Sequence, residues 1–228
     1  MNTWVGGKVI VGSMKGSLGI GIVTTSGKQL FLTNAHVVAG FASRGIGRDI
    51  YDNVNAQNIV GTVYRTIELK RGINHVDASV CLPLGQLENF SIMTSLGSKI
   101  KVTGQQEIDL SQRDGYFYIS NGVRKDCSFP RPGFREPIKF DSRNTGFFEG
   151  HYLFKITNAN LNVEHGDSGS VLLRPTTSGF LACGIVFAGD REQKKVYVQS
   201  FSKFMMALEG RDASSAALPE NLLIAWPK

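Results

Sequence analysis

Short apolar runs, many of them alternating or β-branched, are separated along this chain by breaks rich in glycine, Asp and Asn. Residues 8–11 (KVIV) are one such run. Residues 19–25 (GIGIVTT) and 29–33 (QLFLT) flank Ser26-Gly27-Lys28, a pattern that predicts a hairpin. Residues 58–64 and 78–82 are two further strands. Residues 41–55 read as loop, and residues 84–97 as a bridge between two halves. A second set of strands follows at 99–103, 116–120, 153–157, 170–173, 181–187 and 195–198. Residues 202–209 are the one convincing helix. Short, regularly spaced strands with turn signals between them predict an all-β sandwich or barrel.

Composition narrows this picture. A length of 228 residues suits one large domain or two small ones. Hydrophobic residues make up 42%, enough to build a core and too many for a disordered chain. Glycine, at 26 residues against an ordinary share of ~7%, accompanies only 7 prolines, which suits tight β-turns. The net charge of 25 − 19 = +6 attracts anionic partners without bearing on fold. No apolar run reaches about 18 residues, so no membrane-spanning helix is expected, and the first residues have no secretory-signal pattern. Cys81, Cys127 and Cys183 are odd in number, widely spaced and free of any CxxC. They imply a reducing, cytoplasmic setting with neither a disulfide framework nor a zinc site, although a segment released from a polyprotein fits the same features.

Three local motifs carry chemistry. Gly166-Asp167-Ser168-Gly169-Ser170 lies between a loop and the apolar run Val171-Leu172-Leu173. A serine hydroxyl attacks only when a base takes its proton and donors receive the oxyanion, and glycine before it allows a backbone N–H to point into such a site. The alternative is a plain turn. In LTNAHVV, His36 follows an apolar strand and is placed to act as a general base, although a lone histidine here is more often structural. In VDASV, Asp77 precedes a strand, where a carboxylate either orients an imidazole or caps a turn.

Taken together, the order His36, Asp77, Ser168 is that of the chymotrypsin-type triad, whereas other serine hydrolase folds use other orders. TNAHVV, VDASV and GDSGS resemble the histidine, aspartate and serine motifs of the trypsin/chymotrypsin-like proteases. Gly184-Ile185-Val186 is similar to their cleft-lining strand and Val5-Gly6-Gly7 to their first strand. GSLGIGIV and LTNAHVV look most like the bacterial and viral branches, which lack the disulfides of the digestive enzymes. The resemblance spans roughly residues 5–209 and is specific only in these short blocks.

The resemblance implies an all-β fold of two six-stranded antiparallel barrels with a short C-terminal helix. Residues 1–96 would carry His36 and Asp77, and residues 97–228 would carry Ser168. It implies a serine endopeptidase acting through an acyl-enzyme, with Gly166 and Ser168 N–H groups as the oxyanion hole, a protein or peptide substrate, and no cofactor or metal. Asn162, His165, Phe187 and Gly189 would bind substrate, Asn162 lying at the pocket floor. A neutral floor predicts neutral residues before the scissile bond, with acidic ones allowed, and not Lys or Arg. Lys195 is expected to point outward or to meet Asp190. Asp167 needs a buried cationic partner. A lysine, arginine or backbone group is expected there, with no zymogen cleavage. Phe187 stands where many relatives carry a serine that supports the catalytic aspartate.

Other features are given lesser roles. His75 is structural and His151 has no assigned role. Cys183 is a small buried hydrophobe, and Cys127 lies in a loop. Residues 124–143 interleave basic residues with phenylalanines, as single-strand nucleic-acid binders do, but a long loop is the preferred reading and nucleic acid is not an expected partner. The spaced glycines at 16–21 precede no P-loop lysine. The apolar tail 219–228 is expected to pack on the barrels. The alternative function is a non-catalytic peptide- or nucleic-acid-binding module on a protease-like scaffold. The sequence is silent on oligomeric state.

Overall fold

The computed structural model describes residues 3–5, 7–41, 45–53, 55–85, 87–93, 98–140, 144–208 and 222–223. Its first half contains β1 (Thr3–Val5), β2 (Lys8–Val11), β3 (Met14–Ser17), β4 (Gly21–Thr24), β5 (Gln29–Thr33), the one-turn α1 (Ala35–Val38), β6 (Asp49–Asp52), β7 (Ile59–Thr66), β8 (Ile73–Asn74), β9 (Ser79–Pro83) and β10 (Leu87–Met93). Its second half contains β11 (Lys99–Gln105), β12 (Tyr116–Ser120), β13 (Val123–Pro132), β14 (Glu136–Lys139), β15 (Thr145–Phe148), β16 (Tyr152–Ile156), β17 (Val171–Thr176), β18 (Gly179–Asp190), β19 (Lys195–Ser200), α2 (Phe201–Leu208) and β20 (Leu222–Leu223).

The second half closes on itself. Strands β18, β17, β12, β13, β16 and β19 pair in that order, and β18 also pairs with β19, making a six-stranded barrel. The first half is an eight-stranded sheet in the order β20-β4-β5-β9-β7-β6-β2-β3. It does not close by strand pairing. The end strand β3 and the penultimate strand β4 are joined through residues 18–20, where Leu18 N–H donates to Gly7 O and Gly19 N–H to Leu32 O. The expected pair of barrels is therefore one closed barrel and one half-barrel.

Sheet membership crosses residue 96 in both directions. β1 and β10 join the sheet of the second barrel, whereas β20 pairs with β4 of the first. One apolar cluster is shared, with Ile22, Phe31 and Val80 from the first sheet, Phe117, Val171 and Ile185 from the second, and Phe201 and Phe204 of α2. The helix buries Phe201, Phe204, Met205 and Leu208, the i, i+3, i+4, i+7 stripe of a docked helix. No helix among the described residues is long and apolar enough to cross a membrane.

The hairpin around Ser26-Gly27-Lys28 forms as read, with Gly27 at φ +83° and its N–H on Thr24 O. Several expectations need correction. The loop at 41–55 contains β6, and the bridge at 84–97 contains β10. The loop at 124–143 is largely strand, because β13 and β14 run through it. Cys127 is accordingly a buried strand residue, not a loop thiol. Val5 ends β1, while Gly6 lies outside the described residues. Of the tail at 219–228, only Leu222 and Leu223 are described, and they pair with Thr24 and Val23.

Candidate active site

Strand pairing brings His36 and Asp77 together from 41 residues apart. β5 pairs antiparallel with β9, placing Thr33 opposite Ser79. The residues just beyond those partners are Asn34-Ala35-His36 on one side and Asp77-Ala78 on the other. His36 Nδ1 lies 2.5 Å from Asp77 Oδ2, and its backbone N–H donates to Asp77 Oδ1 at 3.1 Å. A carboxylate oxygen accepts, so the proton of the neutral imidazole sits on Nδ1 and the Nε2 lone pair is left for chemistry. Asp77 is fully buried. Its own backbone is held by Asn34 Nδ2 donating to Asp77 O at 2.7 Å and by Asp77 N–H donating to Gln199 Oε1 at 3.1 Å. The ring of Phe187 packs on Phe148 and Tyr197.

Ser168 sits in a turn that needs glycine on both sides. Gly166 adopts φ +100° and Gly169 φ +93°, values that a side chain strains to reach. A β-carbon on Gly169 would also overlap Ser17 O. The Ser168 hydroxyl donates to Phe187 O at 3.2 Å, and no hydrogen bond joins it to His36 among the described residues. The N–H groups of Gly166 and Ser168 have no acceptor among the described residues. Two adjacent unpaired donors beside a hydroxyl form a ready receptor for an oxyanion.

Behind the turn, Asp167 is buried and fully partnered. Lys125 Nζ donates to both its oxygens, at 2.8 and 3.1 Å. Tyr118 Oη donates to it at 2.8 Å and Glu164 N–H at 3.0 Å. Of the lysine, arginine or backbone group expected there, the partner is Lys125, which reaches inward from β13 and also donates to Asn162 O. Burial, with Asp167 adjacent, pushes the Tyr118 phenol well above its ordinary range. Burial likewise raises the thiols of Cys81 and Cys183 to about 12, far from reactive.

His36 and Ser168 line one cavity of about 950 Å³. Of the substrate-binding candidates, His165, Phe187 and Gly189 line it too, but Asn162 does not. Its carbonyl accepts from Lys125 and its side-chain oxygen from Val163 N–H, so it is turned into the turn's support and forms no pocket floor. Lys195 also lies off the cavity lining, with its ammonium on Gln193 and its backbone paired with Asp190. The residue facing the gap is Val163. A β-carbon on Gly189 would overlap Val163 Cγ1, so the two walls of the pocket touch. Sequence reading also missed Phe140, whose ring stands 5.2 Å from that of His36. Neither residue carries a local signal, because each acquires its role from a partner distant in the chain.

β18 pairs with β19 on one edge from Gly184 to Asp190, whereas its pairing with β17 ends at Ile185. The other edge at residues 187–190 faces the cavity, as an acceptor strand for an extended peptide would.

Comparison with solved structures identifies the fold. The chain is similar to Thermobifida fusca Protease A, with 15% identity, a TM-score of 0.64, and coverage of 99% of this chain and 100% of that one. It is similar to Cellulomonas bogoriensis chymotrypsin, with 15% identity, a TM-score of 0.63 and full coverage of both chains. It is also similar to Nocardiopsis protease, with 15% identity, a TM-score of 0.59, and coverage of 88% and 93%. No protein-family model matches the sequence, and no curated protein matches it significantly. The chain has the chymotrypsin-like two-barrel fold.

Proposed function

We propose that this chymotrypsin-like chain is a serine endopeptidase with His36, Asp77 and Ser168 as its triad. The observation that carries the proposal is the His36–Asp77 pair, which presents Nε2 to the same cavity as Ser168 and the two unpaired N–H groups.

An extended peptide adds to the free edge of β18 with its scissile carbonyl over Ser168. The Ser168 hydroxyl turns from Phe187 O toward His36 Nε2, which takes its proton as Oγ attacks. The oxyanion is received by Gly166 N–H and Ser168 N–H. His36, with Asp77 stabilising the imidazolium, then protonates the leaving amine, and water releases the acyl group by the reverse sequence. Losing one oxyanion donor costs about 10²–10³ in rate.

A fluorophosphonate probe tests the proposal. Covalent labelling of Ser168, lost in Ser168→Ala and in His36→Ala, is expected. A folded protein that the probe leaves unlabelled would overturn it in favour of a binding module on a protease-like scaffold.

A further inference from the structure

The turn that carries Ser168 belongs to the second barrel, but one residue of the first holds it on both sides. Ser17, at the end of β3, is fully buried. Its backbone N–H donates to Ser168 O at 2.7 Å, and its hydroxyl donates to Gly166 O at 2.7 Å. Its own carbonyl accepts from Thr33 Oγ1 at 2.9 Å and rests against Gly169.

These two bonds complete a set of clamps. In the peptide between residues 166 and 167, Ser17 Oγ holds the carbonyl and Glu164 O accepts the N–H at 3.1 Å. In the peptide between residues 168 and 169, Ser17 N–H holds the carbonyl and Val186 O accepts the N–H at 2.8 Å. The peptide planes before and after the Asp167–Ser168 peptide are thus pinned at both ends, and Ser17 supplies one pin to each. The plane between them, which carries Ser168 N–H, is tied through Asp167 O to Ser170 N–H at 3.0 Å. The Gly166 N–H lies one plane upstream, across a glycine at φ +100° that has no side chain to limit its rotation. Fixing the Gly166 carbonyl holds the downstream end of the residue that bears this donor. The stem of Lys8, also from the first barrel, lies against Gly166 on the face where a β-carbon would stand, with its Cε at 3.2 Å from that point.

We infer that Ser17 is a positioning residue for the oxyanion site, through which the first barrel sets the direction of donors carried by the second. The inference rests on reading Gly166 and Ser168 N–H as those donors. Ser17 is fully buried and does not line the cavity, so on this inference it acts on the transition state and not on ground-state binding.

Ser17→Ala keeps the N–H bond to Ser168 and deletes the hydroxyl bond to Gly166. Its kcat is expected to fall about 10- to 100-fold, the scale of a small misplacement of reacting groups, with KM within about twofold. The rate of fluorophosphonate labelling and the affinity for a peptidyl boronate should fall by a similar factor. The midpoint of the pH–rate profile should stay in place, because the His36–Asp77 pair is untouched. Ser17→Cys, nearly the same size and a weaker donor, should fall between the two. Wild-type kcat in Ser17→Ala, or a loss residing in KM, would overturn the inference. Amide chemical shifts of Gly166 and Ser168 in ¹⁵N-labelled protein report turn geometry without activity. They should move in Ser17→Ala, and unmoved shifts would also overturn it. An unlabelled wild-type Ser168 would instead sink the protease reading, while the shifts would still decide whether Ser17 orients the turn.

Discussion

Lys125 and Asp167 form a buried ion pair directly behind the Ser168 turn, with Nζ 2.8 Å from Oδ2 and each side chain 2% exposed. The carboxylate is therefore satisfied within the chain, and no freed N-terminal ammonium is needed to order the turn. Breaking a buried pair from one side leaves an uncompensated charge and costs about 3–5 kcal/mol, whereas replacing both partners is far milder. Lys125→Met should lose stability on that scale in chemical denaturation, along with most activity. Lys125→Met with Asp167→Asn should recover much of the stability. Extra residues at the N-terminus should leave kcat/KM unchanged. A Lys125→Met protein as stable as wild type would remove the pair from this role.

Asp77 sets the tautomer of His36, which makes a second prediction. An asparagine at 77 keeps the shape but can present an NH₂ group to Nδ1, moving the ring proton to Nε2 and disabling the base. Asp77→Asn should lower kcat by roughly 10³–10⁴ with the fold intact. An Asp77→Asn protein that folds and keeps wild-type kcat would remove Asp77 from this role.

The parts of the site that were legible in the sequence are those whose chemistry is local. His36, Asp77 and Ser168 each sit in a short run of neighbours that announces a strand end or a tight turn, and their order along the chain supplied the link between them. The hairpin at Gly27 and the helix at 201–208 were legible for the same reason, since their periodicity or turn chemistry is complete within a few residues. Lys125 was not. A lysine among arginines and acids reads as a solvated loop, and only the distant Asp167 makes its inward direction favourable. Phe140 and Val163 acquire their roles from His36 and Gly189, which are far away in sequence. The resemblance puts Asn162 at the pocket floor, but the backbone turns its side-chain oxygen toward Val163 N–H and its carbonyl toward Lys125, and a sequence match carries no information about that.

Contact between Val163 and Gly189 bears on specificity. On the proposed protease reading, the residue before the scissile bond passes between these two walls, and Val163 lies against Gly189 there. Small neutral residues such as glycine, alanine or serine should therefore be preferred at that position, with Lys and Arg rejected. Val163→Gly should raise kcat/KM for leucine or phenylalanine there by about tenfold or more, the scale of one or two methylenes in an apolar pocket. A peptide-library profile of both proteins checks this. Enrichment of large or basic residues by the wild type would mean that the pocket opens elsewhere.

His151 predicts how stability depends on pH. It is 2% exposed, and neither ring nitrogen has a hydrogen-bond partner among the described residues. Its ring packs against Phe187 and Tyr197. Burial lowers its pKa below the ordinary 6.5, with Glu136 pulling weakly upward and Lys203 downward. The unfolded chain therefore binds a proton near pH 6.5 that the native state still refuses, and stability falls as pH drops below that value toward the lowered native pKa. Above it, this group contributes no pH dependence. His151→Phe keeps an aromatic ring in place and removes the titration. Its Tm at about pH 7.5 should match or exceed that of the wild type, because two unpaired buried nitrogens are gone. Between about pH 6.5 and pH 5 its Tm should fall less steeply. The comparison isolates His151 because every other titrating group is common to both proteins. Parallel curves of Tm against pH would show that His151 is already protonated in the native protein, or that it reaches solvent before it titrates.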